Sequence, residues 1–458
     1  MYKFEHETVV NESIEETFSW FEHEGSFRRL MPPWEVAEEV RADKTIEEGA
    51  IRIFKFPFGP IKMKWVAKHT AYNPPNHFKD IMLKGPFWKF EHDHHFINEG
   101  DTTSVKDSVK YQVPFGAFGH LFAGRNIRKR LERMFIGREL RLKRDLEQHG
   151  KYKSLKRKKI LISGSSGMIG TQLVAFLDTG GHDIWRLVRR KVKPDSNEIY
   201  WNPDEGTINP EEIEGFDAII HLGGAGIGDK RWTKKRKKLI QDSRRMSTTL
   251  LSETISNLKM MPEVFLIASA IGIYGNRGDE ELTEESSHGE GFLTETTVAW
   301  ESYAEKAKKA GVRIINIRTG IVLSATGGAL GKMLLPWKLG GGGSIGGGKQ
   351  WMSWISLDDQ IYAINHLIMS EACNGAFNLT APNPVRQKLF SKTLGKVLRR
   401  PAFAPIPKFP MKILFGELAT PLLFEGQKVM PEKISKSGFS FTHENLEDAL
   451  RDCLGRWR

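Results

Sequence analysis

The feature that most constrains this chain is a short apolar segment that runs directly into a glycine-rich turn. The segment Lys159-Ile-Leu-Ile-Ser163 is followed by Gly164-Ser-Ser-Gly-Met-Ile-Gly170, and residues with helical apolar spacing continue to about residue 177. Apolar residues at this spacing predict a strand, a tight turn and a helix in one continuous unit. The chain is therefore expected to begin a parallel α/β arrangement at about residue 159.

The order of these glycines is typical of a dinucleotide-binding turn. Gly164 and Gly167 let the backbone turn tightly and approach a pyrophosphate, and Gly170 lets the helix pack close to the strand. The phosphates are attracted by the partial positive charge of the helix N-terminus. The alternative is an ordinary glycine turn without a ligand. The predicted cofactor-binding residues of this segment are Gly164, Ser165, Gly167, Met168, Ile169 and Gly170.

Two arginines favour NADP(H) over NAD(H) as this cofactor. NAD-binding folds place an acidic residue about 20 residues after the glycine turn, on the ribose 2′-hydroxyl. This chain has Arg189 and Arg190 in that region, at the end of the predicted second strand. A guanidinium binds a 2′-phosphate through charge-assisted hydrogen bonds, whereas a carboxylate repels it. The alternative is a solvated arginine pair that follows a strand.

Strands and helices continue to alternate after this point. Residues 216–222 and 263–269 are predicted strands, with a predicted helix from Lys234 to about Leu258 between them. Small residues after the first of these strands allow the chain to pass beneath the riboses, so Leu222, Gly223 and Gly224 are also predicted cofactor contacts. The fold class expected for this region is α/β, a Rossmann doubly wound parallel sheet with a small C-terminal lobe.

The first 149 residues have a different pattern, in which apolar and polar residues alternate. In Thr103–Val113 the residues Val105, Val109, Tyr111 and Val113 share one face, as in a half-buried antiparallel strand. A helix is predicted at Ser13–Glu22, and a long basic helix closes the region. These elements predict an α+β domain.

This N-terminal arrangement resembles the START-like (SRPBCC) helix-grip family, with Asn11-Glu-Ser-Ile-Glu-Glu-Thr-Phe-Ser-Trp-Phe21 near its start. The resemblance implies a curved sheet around the last helix and an apolar cavity for a hydrophobic small molecule, in which Asp107 is expected to point inward. A docking domain without a cavity is the alternative. The predicted domains are residues 1–149, a linker at 150–158, the Rossmann domain at 159–383 and the C-terminal lobe at 384–458.

From Lys159 to Leu454 the chain resembles an extended short-chain dehydrogenase/reductase. More narrowly, it is similar to the NAD-dependent epimerase/dehydratase-like subfamily with a C-terminal extension domain. The motifs that carry this resemblance are Ser163–Gly170, His221–Ile227, Arg231-Trp with Asp242-Ser-Arg, Ala268–Gly275, Arg318–Leu323 and Gln350–Asp359. The resemblance implies a nucleotide-binding oxidoreductase or epimerase.

The resemblance also implies catalytic residues, and here the chain departs from the family pattern. Reductases of this kind use a Ser and a Tyr whose pKa is lowered by a Lys one helical turn away. Ser269 stands where the Ser is expected, but Phe292–Glu301 contains neither Tyr nor Lys at the required spacing. Tyr303 and Lys306 lie further along the chain than the family pattern requires, and they are three residues apart instead of four. The catalytic candidates are Ser269, Tyr274 and Glu301, and Glu295 is a further candidate to face the nicotinamide. For Glu301 the alternative is a surface or salt-bridged helix position.

Composition excludes several other classes of protein. The sequence has no apolar run typical of a signal peptide or a membrane span, so we expect a soluble, cytoplasmic protein with no membrane partner. The net charge of +12 is concentrated in amphipathic helical segments without interleaved aromatic residues, which argues against nucleic acid as a partner. Two cysteines cannot form a thiolate metal site. Glu91-His-Asp-His-His95 divides its potential ligands between two faces of a strand, so we expect no metal.

Two functional hypotheses follow from these patterns. The first is an NADP(H)-dependent oxidoreductase or epimerase that acts on a small, hydrophobic carbonyl or hydroxyl compound, with a hydrophobic ligand in the N-terminal domain. The second is a non-catalytic NADP(H)-binding sensor or scaffold, which the missing Tyr and Lys would explain. The sequence does not determine the oligomeric state.

Overall fold

The computed structural model describes residues 1–35, 37–58 and 61–457 of the chain. These residues form two units by their internal contacts, Met1–Lys156 with Val174–His182 and Arg157–Leu173 with Asp183–Arg458. The change from the first unit to the second after Lys156 falls inside the segment 150–158 that the sequence predicts as a linker.

The first unit contains one antiparallel sheet of seven strands, in the order β1-β7-β6-β5-β4-β3-β2. Its strands are β1 (Tyr2–Val10), β2 (Glu38–Ala42), β3 (Ile51–Phe58), β4 (Ile61–Asn73), β5 (His77–Lys84), β6 (Lys89–Asn98) and β7 (Thr103–Gln112). Its helices are α1 (Ile14–Glu22), α2 (Gly25–Leu30) and α3 (Gly116–Gly150). Apart from the pairing of β1 with β7, neighbours in the sheet are neighbours in sequence, as in a meander of hairpins.

Local sequence explains these elements. Ser13 caps α1, because its hydroxyl accepts a hydrogen bond of 3.3 Å from the backbone amide of Glu16. The predicted inward face of β7 is confirmed, since Val105 and Val109 are buried. Leu131 and Phe135 of α3 join the same apolar core as Val109. The early helix, the strand meander and the long last helix are therefore present as elements, and they make an α+β unit.

A cavity in the first unit differs in character from the apolar cavity that was expected. Its lining includes the apolar side chains of Phe21 and Leu142, but also those of His94, Asp107 and Arg138. The prediction that Asp107 points inward is confirmed. The lining is more polar than the expected apolar cavity, because charged side chains from the sheet and from α3 meet there.

The main sheet of the second unit has eight strands, in the order β11-β10-β9-β8-β12-β13-β15-β19. They are β8 (Lys159–Ser163), β9 (Asp183–Val188), β10 (Glu198–Asn202), β11 (Thr207–Ile208), β12 (Ala218–His221), β13 (Val264–Ala270), β15 (Arg313–Thr319) and β19 (Gly375–Leu379). Short two-stranded ladders are formed by β14 (Glu281–Leu282), β16 (Ile321–Leu323), β17 (Trp351–Met352), β18 (Trp354–Ser356), β20 (Val385–Arg386) and β21 (Lys428–Val429).

This order confirms the predicted Rossmann sheet. From β10 through β8 to β19 every neighbouring pair is parallel, and only β11 runs antiparallel. The chain reverses its direction of travel through the sheet between β8 and β12, which is the switch point where open α/β sheets bind ligands. The sequence predicted the strands on both sides of this point, but it missed β10.

Ten helices of the described chain belong wholly or partly to the second unit. They are α4 (Met168–Thr179), α5 (Lys234–Ile255), α6 (Phe292–Ser302), α7 (Glu305–Lys309), α8 (Gly328–Lys338), α9 (Leu357–Met369), α10 (Gln387–Leu398), α11 (Lys408–Phe415), α12 (Glu432–Lys436) and α13 (Leu446–Leu454). One core joins the sheet to α5 and α6 through Leu161, Phe265, Leu251 and Trp300. No described helix is both long and apolar enough to cross a lipid bilayer.

The residues after 384 share a core with the Rossmann part of the second unit. Trp354 of β18 packs in one cluster with Leu394 of α10 and Leu450 of α13. The glycine-rich run at 340–348 packs against this region. The backbone amide of Ile345 donates to the Gln387 side chain over 2.9 Å in the interior of the protein. Glycines here permit close packing, because a Cβ on Gly343 would overlap the backbone of Ala404.

Candidate functional site

The glycine turn after β8 has the geometry that a dinucleotide pyrophosphate requires. Gly164 has a positive φ of 73°, and a Cβ there would lie 2.8 Å from the carbonyl carbon of Leu222. A Cβ on Gly170 would overlap the carbonyl oxygen of Gly164 and lie 2.8 Å from the Cα of Ser165. The helix α4 begins at Met168, directly behind the turn. The absence of side chains therefore leaves a cradle at a helix N-terminus, which fits the phosphates of a dinucleotide.

A buried histidine holds the two loops of this cradle together. Nδ1 of His221 lies 2.5 Å from Oγ of Ser163, and its Nε2 lies 3.0 Å from Oγ of Ser247. Ser247 donates its own proton to the carbonyl of Ser243 over 2.6 Å, so it accepts from Nε2–H, and Nδ1 accepts from Ser163. Burial, with a smaller effect from Arg244, lowers the pKa of His221 to about 3. The histidine is therefore a neutral link between β8, β12 and α5.

The loop after β12 lies over a buried arginine to which the sequence gave no role of its own. Arg244 of α5 donates hydrogen bonds to the carbonyls of Ala225 at 3.0 Å and Ile240 at 2.9 Å. Its guanidinium carbon lies 4.5 Å from the ring centroid of Trp300, and a Cβ on Gly224 would be 3.3 Å from that carbon. Burial lowers the pKa of Arg244 to about 10. Arg244 therefore supports the loop that contains the predicted cofactor contacts Leu222, Gly223 and Gly224.

The two arginines after β9 are not equivalent. Arg190 forms a two-pronged ion pair with Glu198 of β10, with nitrogen–oxygen distances of 2.8 and 2.6 Å. This pairing, opposed by burial, lowers the pKa of Glu198 to about 2. Arg189 is exposed to solvent. Both arginines are exposed, and they differ in that Glu198 holds Arg190.

The catalytic candidate Ser269 lies at the carboxyl end of β13, where open α/β sheets place their ligand sites. Its hydroxyl donates a hydrogen bond of 2.5 Å to Oε1 of Glu301, which is on α6. Arg318 of β15 holds both oxygens of Glu301 at 2.9 Å, and it stands directly opposite Ser269 in the sheet. Burial alone would lower the pKa of Arg318, but its bonds to Glu301 raise it.

Ser269 and Glu301 were both predicted from the sequence as catalytic candidates, but Arg318 was not predicted as a member of the site. Arg318 was noted only as part of a motif, because its partners lie far from it in the sequence. The available signal was an arginine at the end of the apolar-rich segment 312–317, since a charge that such a strand buries requires a carboxylate partner.

Tyr274 does not stand where a catalytic proton donor would. The residue is fully buried, and its hydroxyl donates to Oδ1 of Asn378 over 2.7 Å while it accepts from Arg318 over 3.0 Å. Burial raises the pKa of Tyr274, and the nearby Arg318 opposes this only in part. These contacts and the raised pKa argue against a catalytic role for Tyr274, since the tyrosine of a reductase needs access to substrate and a lowered pKa.

Two other residues that were considered between positions 292 and 306, Glu295 and Lys306, lie on the surface. Glu295 is exposed in the first turn of α6, where a carboxylate stabilises the helix dipole. Lys306 is 65% exposed, and its Nζ lies 2.6 Å from Glu253. A tyrosine–lysine pair is thus missing from the site in space as well as in sequence, as far as the described residues show.

Comparison with known proteins agrees with this geometry. A model of the NAD-dependent epimerase/dehydratase family matches residues 160–380, and a model described as a domain of unknown function (DUF1731) matches residues 406–453. The chain is 36% identical over 291 residues to the epimerase family protein Mb2239 of Mycobacterium bovis, covering 64% of this chain and 96% of that protein. This chain belongs to the NAD-dependent epimerase/dehydratase family. Family membership favours an enzyme over the non-catalytic sensor that the sequence also allowed.

Solved structures of similar proteins show how far the family likeness extends. The nucleoside-diphosphate sugar epimerase from Corynebacterium glutamicum has a TM-score of 0.82 at 27% identity, over 99% of this chain and 90% of that one. Human epimerase family protein SDR39U1, solved with NADPH, has a TM-score of 0.60 at 30% identity, over 65% of this chain and 99% of that one.

The first 150 residues are not explained by the family models that match. Those models start at residue 160, and the resemblance to START-like helix-grip proteins is not supported by any of these matches. Residues 1–149 are therefore described as an antiparallel α+β unit, since alternating strands and a long helix recur in many unrelated folds.

Proposed function

We propose that this epimerase-family chain is an NADP(H)-dependent oxidoreductase or epimerase that acts on a small carbonyl or hydroxyl compound. The observation that carries the cofactor preference is the exposed Arg189 beside the Glu198-bound Arg190. A free guanidinium at the end of the second strand suits a 2′-phosphate, and binding it would not cost an existing ion pair. A relative with 30% identity, solved with NADPH, supports the same choice.

The proposed chemistry uses Ser269 and Glu301 in place of the usual tyrosine and lysine. Because the Ser269 hydroxyl donates to Glu301, its lone pairs are available to accept a hydrogen bond from a substrate hydroxyl. During oxidation the substrate proton would move to Oγ of Ser269, and the Ser269 proton would move to Oε1 of Glu301. The bound nicotinamide supplies the hydride chemistry. Arg318 is a positioning residue, since it holds both oxygens of Glu301.

This proposal is tested first by cofactor titration and then by turnover. Purified protein is titrated with NADPH and NADH, and tighter binding of NADPH is expected. The NADPH-bound protein is then incubated with a panel of small carbonyl compounds, including nucleoside-diphosphate sugars, while NADPH absorbance is followed. A protein that binds neither cofactor would refute the whole proposal. Tight NADPH binding with no turnover across the panel would refute its catalytic part.

A further inference from the structure

A cluster of histidines and carboxylates lies on the inner face of the N-terminal sheet. His92 and His94 are two residues apart on β6, so their side chains share one face. Asp80 of β5 stands directly opposite His92, and Asp107 of β7 stands directly opposite His94. Both histidines are buried. The four side chains therefore converge at one place, although they come from three strands.

Each imidazole in this cluster points one nitrogen at each carboxylate. On one side, Nε2 of His92 lies 3.0 Å from Oδ1 of Asp107, and Nδ1 of His94 lies 2.7 Å from the same oxygen, although at an angle outside that of a hydrogen bond. On the other side, Nδ1 of His92 and Nε2 of His94 each lie 3.7 Å from Oδ1 of Asp80. Each of the two histidines thus faces Asp107 with one ring nitrogen and Asp80 with the other.

The contacts with Asp80 are too long for hydrogen bonds and fit a shared metal ion instead. A hydrogen bond between nitrogen and oxygen rarely exceeds about 3.2 Å. Two ligands bound at about 2.0–2.1 Å to one tetrahedral ion lie about 3.4 Å apart. The ligand atoms of Asp80, His92 and His94 all lie within 4.8 Å of one another. Small side-chain movements would bring all three onto one ion.

We propose that Asp80, His92 and His94 bind a divalent transition-metal ion, of the Zn²⁺ or Fe²⁺ kind, and that Asp107 orients both imidazoles. Two histidines and one carboxylate form the ligand set of many zinc and non-haem iron sites that keep an open coordination position. A carboxylate behind a metal-binding histidine fixes its ring orientation and tautomer. Asp107 stands in that position for His92, and its oxygen is also close to His94.

The surroundings of the cluster agree with an ion at this position. Arg138 of α3 is partly buried and lies close enough to interact with Asp107 and Asp80. Its charge balances Asp107, which leaves Asp80 as the carboxylate for the ion. His94 and Asp107 of the cluster, together with Arg138, also line the cavity described above.

This geometry removes one assumption on which the expectation of no metal depended. That expectation assumed that His92 and His94 had no further ligand, whereas β5 supplies Asp80 on the same face. The opposite face of β6 also holds a group, His77, Asp93 and His95. There, however, Nζ of Lys79 lies 3.6 Å from Asp93, so an ammonium already occupies the neighbourhood of the carboxylate. This outer group provides a matched control on the same strand.

The test uses the full chain, treated with a chelator, dialysed and titrated with Zn²⁺ by calorimetry, with Co²⁺ as a spectroscopic probe of histidine coordination. Binding of a single Zn²⁺ is expected in the wild type and in His95→Gln. His94→Gln and Asp80→Asn should abolish it, and Asp107→Asn should weaken it about 10- to 100-fold. Far-ultraviolet circular dichroism checks that each variant is folded, and whichever of the three inner variants folds is sufficient for the comparison.

Three outcomes would overturn the proposal. The first is a wild-type chain that binds no Zn²⁺ or Co²⁺, because a proton on His94 would then balance the charge of the cluster instead. The second is loss of binding in His95→Gln with retention in the inner variants, which would place the ion on the outer face. The third is bound Co²⁺ whose visible spectrum is that of the hydrated ion. The titration is independent of any nicotinamide cofactor, so its result does not depend on the proposed function.

Discussion

Ser269 on β13 and Glu301 on α6 are joined by a hydrogen bond of 2.5 Å, although 32 residues separate them in sequence. Glu301 is in turn held at both oxygens by Arg318, which stands beside Ser269 in the sheet. The serine hydroxyl is therefore fixed in direction before any substrate arrives. Such orientation reduces the entropy that a reaction must lose to reach its transition state.

We predict that Glu301→Gln destabilises the protein by about 3–5 kcal/mol, because it leaves the buried Arg318 without a carboxylate. Ser269→Ala removes one hydrogen bond and should cost about 1 kcal/mol. Urea unfolding at neutral pH measures both. Glu295→Gln, on the exposed side of the same helix, is the control and should change stability by less than about 0.5 kcal/mol. Equal stability of the Glu301 and Glu295 variants would contradict the assigned role of the ion pair.

Arg189→Ala is expected to weaken NADPH binding about ten- to hundredfold and to leave NADH binding nearly unchanged, since only NADPH carries the 2′-phosphate. Fluorescence or calorimetric titration gives both dissociation constants. Lys191→Ala removes an equal charge from a neighbouring exposed position, and it should have a small effect on both cofactors. An equal loss of affinity for NADPH and NADH in the Arg189 variant would contradict the assignment.

Two glycine substitutions should differ in their effect on cofactor binding. Gly170→Ala places a methyl group against the carbonyl oxygen of Gly164, so the turn must open and binding of either cofactor should be lost. Gly341→Ala is the control outside the turn, because its new Cβ would lie 3.4 Å from the carbonyl oxygen of Pro336, an ordinary van der Waals distance, and cofactor binding should be unchanged. NADPH titration together with thermal unfolding separates loss of binding from loss of folding. Similar affinities in both variants would show that the turn does not form the cradle.

His443 should make stability depend on pH in the alkaline range. Its Nδ1 lies 3.6 Å from Asp359 and its Nε2 lies 3.5 Å from Asp452. Although burial opposes it, these carboxylates raise the pKa of His443 to about 9. The folded pKa is above the unfolded value, so the stabilisation is complete below about pH 6.5 and is lost as the pH rises through about 9.

The corresponding measurement compares His443→Gln with the wild type at pH 6 and at pH 10. The variant should be less stable by on the order of 3 kcal/mol at pH 6, and the difference should nearly vanish at pH 10. His288→Gln, at an exposed position in the same unit, controls for general effects of losing an imidazole. A destabilisation by His443→Gln that is the same at both pH values would show that the charge of His443 contributes nothing.

The sequence by itself determined the elements and the cofactor turn. Strand, glycine turn and helix from Lys159 to Thr179 follow from apolar spacing and from the conformational freedom of Gly164. The alternation of strands and helices predicted the parallel sheet, and the alternation within residues 1–149 predicted the antiparallel unit. These properties depend on residues that are close together in the chain, so their signal survives in a single sequence. The strand β10 was missed because, unlike the equally short β8, it does not run directly into a glycine-rich turn.

Only the tertiary structure decided which polar groups meet. The sheet register places Arg318 beside Ser269 and Asp80 beside His92, and it gives Arg190 rather than Arg189 to Glu198. Packing buried Tyr274, which its position in the motif had suggested as catalytic. A buried charge or hydrogen-bonding group must find a partner, but that partner is chosen by strand pairing across long sequence separations. The residues that are close to such a group in the sequence therefore do not indicate which partner it has.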